Sequence, residues 1–251
     1  MYLSLIFILT LIIPFIAMPK HIKMNILPPY RVILLSIMGI GVMTALVLMV
    51  ASFSGQGLYA QLHEVAKLIS ADAATNPMII DALGMKEMSE AEISQMLLTM
   101  YDKGFLVLPV AVLLMGAIVS YIAYIILSNI IGKKTEVKKM PKFREFTFPH
   151  GTAMAVMIMY IIGWIMLESE SEMGEMLFAN FSALFDIVFV LQGIAVVLMF
   201  FHFKKIPQAI AVVVSGFMVI TSIGKTFIVL LGMADMFFGL RLRMGSRPSR
   251  R

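Results

Sequence analysis

Long apolar runs almost free of charge constrain this chain more than any other feature. They cover residues 2–18, 32–53, 105–131, 149–167, 181–201 and 206–240. A helix needs about 20 such residues to cross roughly 30 Å of hydrocarbon. Strands of a membrane barrel would instead carry a polar residue at every second position. That alternation is absent. The composition agrees, with 60% hydrophobic and 14% charged residues, where a soluble domain carries about 45–50% and about 25%. The expected fold is therefore all-α, a polytopic transmembrane helix bundle.

The final run decides the span count. At ~1.5 Å per residue it makes about 50 Å of helix, too long for one span and short for two. Loop charge helps here. Lys20, Lys23 and Arg31 follow the first run, six basic residues from Lys133 to Arg144 follow the third, and Lys204 and Lys205 follow the fifth. Basic loops stay in the cytoplasm. The alternate loops are poor in basic residues. One carries Glu168, Glu170, Glu172 and Glu175, and in residues 54–103 seven acids face three lysines. Arg241, Arg243, Arg247, Arg250 and Arg251 also call for the cytoplasm. A hairpin of two short helices turning near Ser222–Lys225 places them there. The expectation is about seven spans with a cytoplasmic C-terminus, and six if the last run crosses once.

Three regions follow: two N-terminal spans in residues 1–53, an extracytoplasmic segment in 54–103, and a C-terminal bundle with a basic tail in 104–251. In the middle segment, Ser89 and Glu92 have the spacing of a capping box. Ile93, Met96, Leu97 and Met100 then recur at helical spacing. An earlier helix is expected over residues 58–70, with Leu62, Val65, Ala66 and Ile69 on one face. Asn76-Pro77 and Gly84 break the region between. These amphipathic helices are expected on the outer membrane surface or capping the bundle. The first run has no basic n-region and no cleavage site, so it reads as a retained span. It starts abruptly, which raises the expectation of a missing N-terminal piece.

Three stretches resemble the YybS-like family of uncharacterised bacterial membrane proteins. One is the run from Met140-Pro141-Lys142-Phe143-Arg144 to Phe148-Pro149. The second begins at Asn180 and carries Gln192-Gly193. The third is Leu231-Gly232-Met233-Ala234-Asp235, followed by Phe237-Phe238 and Arg241. The likeness covers roughly residues 105–243, and the first hundred residues match only in being hydrophobic. It implies a bacterial plasma membrane location, a compact helical bundle, and about eight spans, one more than are counted here. The family has no settled activity. A looser likeness extends to the substrate-binding subunits of vitamin transporters.

No HExxH pair, GxSxG elbow or Walker lysine loop occurs, and the chain reads as a non-enzyme. Gly224-Lys225-Thr226 lacks the upstream glycine of a phosphate loop. With no cysteine, disulfides and thiolate sites are excluded. His21, His63, His150 and His202 are scattered, and no metal or other cofactor is implied. The net charge of +5 fits cytoplasmic lysine and arginine, with no nucleic acid as partner.

Ionisable groups inside the runs are informative because burying charge in hydrocarbon is costly. Asp186 lies about six residues, or roughly 9 Å, into the fifth run. Ser182, Asp186, Phe189 and Gly193 share a helical face, with Gln192 nearby. Lys225 is expected at a similar depth. Asp186, Gln192 and Lys225 are the candidate substrate-binding residues, in a polar cluster open to the outside with the outer helices as a lid. The bland reading is that Asp186 and Lys225 only fasten two helices. Asp235 can reach Arg241 or Arg243, and Asp235 with Arg241 is the candidate structural pair at the interface. Gly41/Ala45, Gly116/Ser120 and Ala211/Ser215 have the four-residue spacing that lets helices approach. The expected partners are the lipid bilayer and a small solute, with a second membrane protein as the alternative if the chain is a non-catalytic scaffold.

Overall fold

The computed structural model describes residues 2–53, 57–133, 135–149 and 151–245. Lys134, His150, Arg247, Arg250 and Arg251 lie outside the described residues, as does the start of the 54–103 segment. Every regular element among the described residues is helical. The chain divides into two compact units, with the boundary in sequence between Lys139 and Met140.

The first unit contains α1 (Tyr2–Met24), α2 (Pro29–Phe53), α3 (Leu58–Ala73), α4 (Pro77–Leu83), α5 (Glu90–Leu106) and α6 (Leu108–Ile131). Helices α1, α2 and α6 pack on one another. Residues 104–139 were expected with the C-terminal bundle, yet α6 packs in this unit. Its small residues explain the contact. A Cβ on Gly116 would come within 2.9 Å of Ile40, so glycine there lets α6 lie close to α2. One turn on, the Ser120 hydroxyl donates to Ser36 Oγ at 3.0 Å in the buried interface. Helices α1, α2 and α6 are each long and apolar enough to cross a membrane. Much of their apolar surface is uncovered, including Phe7, Ile16 and Met38. Such surface suits hydrocarbon and would be costly in water.

Three boundaries differ from expectation. Helix α1 runs through Pro14 and Pro19 to Met24, and the chain turns at Asn25 in the left-handed region (φ 51°). Phe105 belongs to α5, because Val107 separates α5 from α6 and Pro109 starts the latter. Proline suits a first helical turn, where its missing N–H has no partner to lose. Asn76-Pro77 likewise opens α4: the Asn76 side chain accepts from the Met78 N–H at 3.0 Å. Gly84 ends α4 with φ 68°.

Helix α5 starts as expected. Glu92 Oε2 accepts from the Ser89 N–H at 2.8 Å, and Ser89 Oγ accepts from the Glu92 N–H at 3.4 Å. Ile93 and Leu97 are buried with Ala73, Ala74 and Met85, while Met96 and Met100 stay exposed. On α3 the buried positions are Leu58, Ala66, Ser70 and Ala73, and Val65 and Ile69 point away. Both helices are amphipathic, but each packing stripe is narrower than the apolar pattern.

The second unit contains a 3-10 turn (Phe143–Glu145), α7 (Thr152–Leu167), α8 (Glu172–Phe203), α9 (Gln208–Ile220), α10 (Ser222–Phe238) and α11 (Leu240–Gly245). Helix α8 is the hub, packing against α7, α9, α10 and the 3-10 turn. Its 32 residues extend about 48 Å. It begins nine residues before the apolar run because Ser171 caps it, accepting from the Gly174 N–H at 3.1 Å. The acidic loop therefore shrinks to the turn after Leu167, and Glu172 and Glu175 lie on α8. Gly174 is needed in this turn, since a Cβ would sit 2.1 Å from the Met166 carbonyl oxygen.

Helix α8 meets the length and apolarity of a span, and α7, with 16 residues, is shorter. The last run breaks at Thr221 and bends by 111° between α9 and α10. It is neither one straight span nor an antiparallel hairpin. Four described helices are thus long and apolar enough to span, besides the bent pair and α7.

Candidate functional site

Two polar groups lie along the α8–α10 contact, on either side of a glycine crossing. At the crossing, a Cβ on Gly193 would stand 2.0 Å from the Ile228 carbonyl oxygen. One on Gly232 would stand 2.0 Å from the Phe189 carbonyl oxygen. The two backbones touch, and no side chain fits between them. This close approach lets short polar side chains bridge the helices, as small residues do in membrane packing.

Toward the α9–α10 break, Lys225 Nζ donates to Asp186 Oδ2 at 2.5 Å. Asp186 lies about 21 Å along α8 from Glu172, and Lys225 is in the first turn of α10, its N–H bonded to the Thr221 carbonyl at 2.8 Å. The pair is half exposed, with side chains 39% and 43% accessible. On either side of Thr221, Ile220 and Ile223 are almost fully exposed.

On the other side, Gln192 joins a different partner. Its Nε2 donates to Asp235 Oδ2 at 2.7 Å and lies 3.5 Å from Thr147 Oγ1. The expected trio therefore divides: Asp186 and Lys225 meet, while Gln192 sits with Asp235 and Arg241. The reason is helical phase. Asp186 and Gln192 are six residues apart, about 240° around the helix, so they do not project together.

The Asp235–Arg241 pair is nearly sealed, with side chains 4% and 10% accessible. Asp235 Oδ1 accepts the Arg241 N–H at 2.9 Å, and Oδ2 accepts Arg241 Nε at 2.7 Å. The guanidinium also donates to the backbone carbonyls of Arg144 (3.0 Å) and Phe146 (2.6 Å). Gly239, with φ 62°, turns the chain so that Arg241 folds back over the end of α10. The segment after Pro141 is thereby tied to the helices, with Phe146 buried and stacked on Phe143. Sequence reasoning missed this tie, because backbone carbonyls leave no mark on residue choice. Gln192 Oε1 is buried without a hydrogen-bond partner.

The histidines fall in separate places. His63 Nδ1 is 2.8 Å from Asp102 Oδ1, joining α3 to α5, a pairing not foreseen from spacing. His202 lines a small cavity of about 110 Å³ with Arg144, Gln208 and three apolar residues. Among the described residues, no three His, Asp or Glu side chains are grouped to hold a metal ion. Gly224-Lys225-Thr226 forms helix rather than a phosphate loop.

A protein-family model described as "Predicted membrane protein (DUF2232)" matches residues 1–236. It agrees with the YybS-like resemblance and extends it over the N-terminal hundred residues. No curated protein and no solved structure matches the chain.

Proposed function

This chain belongs to the DUF2232 family of membrane proteins, and from that premise we propose that it binds or moves a small polar solute at the α9–α10 break. The observation that carries the reading is the half-exposed Asp186–Lys225 pair. Charges at that depth do not face lipid tails without large cost. Their open side calls for water, a solute or another protein. Transporters commonly place solute sites where a helix is broken within the membrane, so that helix ends and a few side chains meet there. The N-terminus of α10 has no side-chain cap at Thr221 and carries Lys225. Asp186 supplies the opposite charge, and a charged or zwitterionic solute could exchange with the pair.

The proposed topology follows the charge rule. With Lys204 and Lys205 cytoplasmic, α9, about 20 Å long, enters the membrane, the chain bends by 111° at Thr221, and α10, about 25 Å long, leads back toward the same side. The 111° bend between them favours a re-entrant pair over two full spans, whereas α7, although as short as α10, joins a basic loop to an acidic turn and is read as crossing. This gives five crossing helices, α1, α2, α6, α7 and α8, and a re-entrant pair in place of two full spans. The C-terminus lies in the cytoplasm and the membrane is the plasma membrane. No catalysis is proposed, since Asp186 is matched by a lysine and both Asp235 oxygens are already hydrogen-bonded.

The absence of cysteine makes accessibility testable. Single cysteines replace Ser182, Ser222 or the exposed apolar Leu230, and a charged thiol reagent is applied to native membranes. A water-filled site predicts labelling at Ser182→Cys and Ser222→Cys but not at Leu230→Cys. Asp186→Asn with Lys225→Ala should leave insertion and folding intact. If neither serine position labels in membranes, although both do in detergent, the solute site is refuted. Labelling that appears only after an associated protein is stripped away would favour the scaffold reading.

A further inference from the structure

The cavity at the other end of α8 lies outside the solute site proposed above. It holds about 110 Å³ and is lined by Arg144, His202, Gln208, Leu198, Ile206 and Ala211. At about 30 Å³ each it has room for roughly three to four waters, or for one phosphate group in their place.

Three features make it suited to an anion. Arg144 is held in place by its backbone: its carbonyl accepts from Arg241, and it lies in the 3-10 turn flanked by the stacked Phe143 and Phe146. Its side chain is only 20% accessible, and among the described residues its one charged contact is Nε to Glu145 Oε1 at 3.7 Å. That is too long for a hydrogen bond. A largely covered guanidinium thus keeps its fork of donors for an acceptor not found among the described residues. Second, α9 begins here after Pro207 with no side-chain cap. Its first N–H groups and the positive end of its dipole lie at Gln208, beside the cavity. Third, His202 lines the same space, and the adjoining link carries Lys204 and Lys205. A covered arginine, an imidazole and an uncapped helix start around a phosphate-sized space suit an anion.

We infer that this cavity binds a phosphate group, and that an anionic phospholipid headgroup is its source. The apolar Leu198 and Ile206 in the cavity lining offer contact for the apolar part of a lipid beside its phosphate, and the lysines of the adjoining link are exposed. Basic pockets between membrane helices bind headgroups in this way.

The test uses the intact protein in mild detergent, with retained lipid counted by native mass spectrometry. Phosphatidylglycerol and phosphatidylcholine are the lipid probes, and inorganic phosphate is the soluble one, read by thermal shift. The parent protein should retain phosphatidylglycerol in preference to phosphatidylcholine. Arg144→Gln should weaken retention about tenfold or more. Gln208→Glu, which sets a negative charge at the helix start, should do the same. Lys142→Gln, which removes an exposed charge outside the cavity, should change little. The Arg144 carbonyl stays tied to Arg241 in the glutamine variant, so its unfolding temperature should match the parent's. If phosphate alone gives a shift that both cavity variants abolish, the phosphate site stands and the lipid source is rejected. Equal loss in Lys142→Gln, or no loss in either cavity variant, overturns the proposal.

Discussion

Gly193→Ala tests the α8–α10 crossing directly. In an exposed helix this change would stabilise by about 1 kcal/mol through helix propensity. Here the added methyl would lie 2.0 Å from the Ile228 carbonyl oxygen, where real contacts stay beyond 3.0 Å. The obstacle is backbone, so no side chain can rotate away, and the helices must part by about 1 Å. Overpacking of this kind costs about 1–3 kcal/mol. The separation also strains the Gln192–Asp235 hydrogen bond beside the crossing. At 2.7 Å it would stretch to about 3.7 Å, beyond hydrogen-bond range. Hydrogen bonds to charged groups contribute about 1.5–3 kcal/mol. The net loss is then about 2–5 kcal/mol after the propensity gain. That corresponds to an unfolding temperature lowered by about 4 °C or more. The assay heats detergent-purified protein and follows the monodisperse fraction by size exclusion. Gly216→Ala on α9 is the internal control, because a Cβ there meets nothing within 4 Å, and it should be neutral or slightly stabilising. Should Gly193→Ala unfold within about 1 °C of the parent, the tight crossing is not what holds these helices.

Two further outcomes are expected. Asp235→Ala leaves the buried Arg241 guanidinium unmatched and should cost about 3–5 kcal/mol, whereas Asp235→Leu with Arg241→Met should recover much of it; a double variant as unstable as the single one would contradict this account. At the start of α5, the backbone N–H and then the hydroxyl of Ser89 hold the Glu92 carboxyl below the usual carboxylate range. The folded value is lower than the unfolded one, so the cap's contribution is present at neutral pH and lost as acidification passes through the lowered value. Amide exchange at the first turn of α5 should rise accordingly, and Glu92→Gln should remove that acid dependence.

The two ion pairs of the second unit show how context separates similar residues. Both join an acid to a base near α10. The Asp235–Arg241 pair is enclosed, and the Gln192 side chain and backbone carbonyls of the same unit take up its other hydrogen bonds. The Asp186–Lys225 pair keeps an open side. Burial and unspent hydrogen-bond capacity distinguish a fastening from a candidate site, and neither is written in residue type.

Composition and run length alone determined that this is a helical membrane chain, because an uncharged apolar run has few stable homes other than hydrocarbon. Local chemistry likewise determined the Ser89–Glu92 cap, since the bonds involved span only three residues. The approach of Asp186 to Lys225 and of Asp235 to Arg241 was also legible, because few charges occur in those runs. Only tertiary structure decided that Gln192 belongs with Asp235, that α6 packs with the N-terminal helices, and that the last run bends by 111° at Thr221. These depend on helical phase, on which backbones can touch at glycine, and on carbonyls such as those of Arg144 and Phe146. Every residue carries such a carbonyl, so only the folded chain reveals which ones are used.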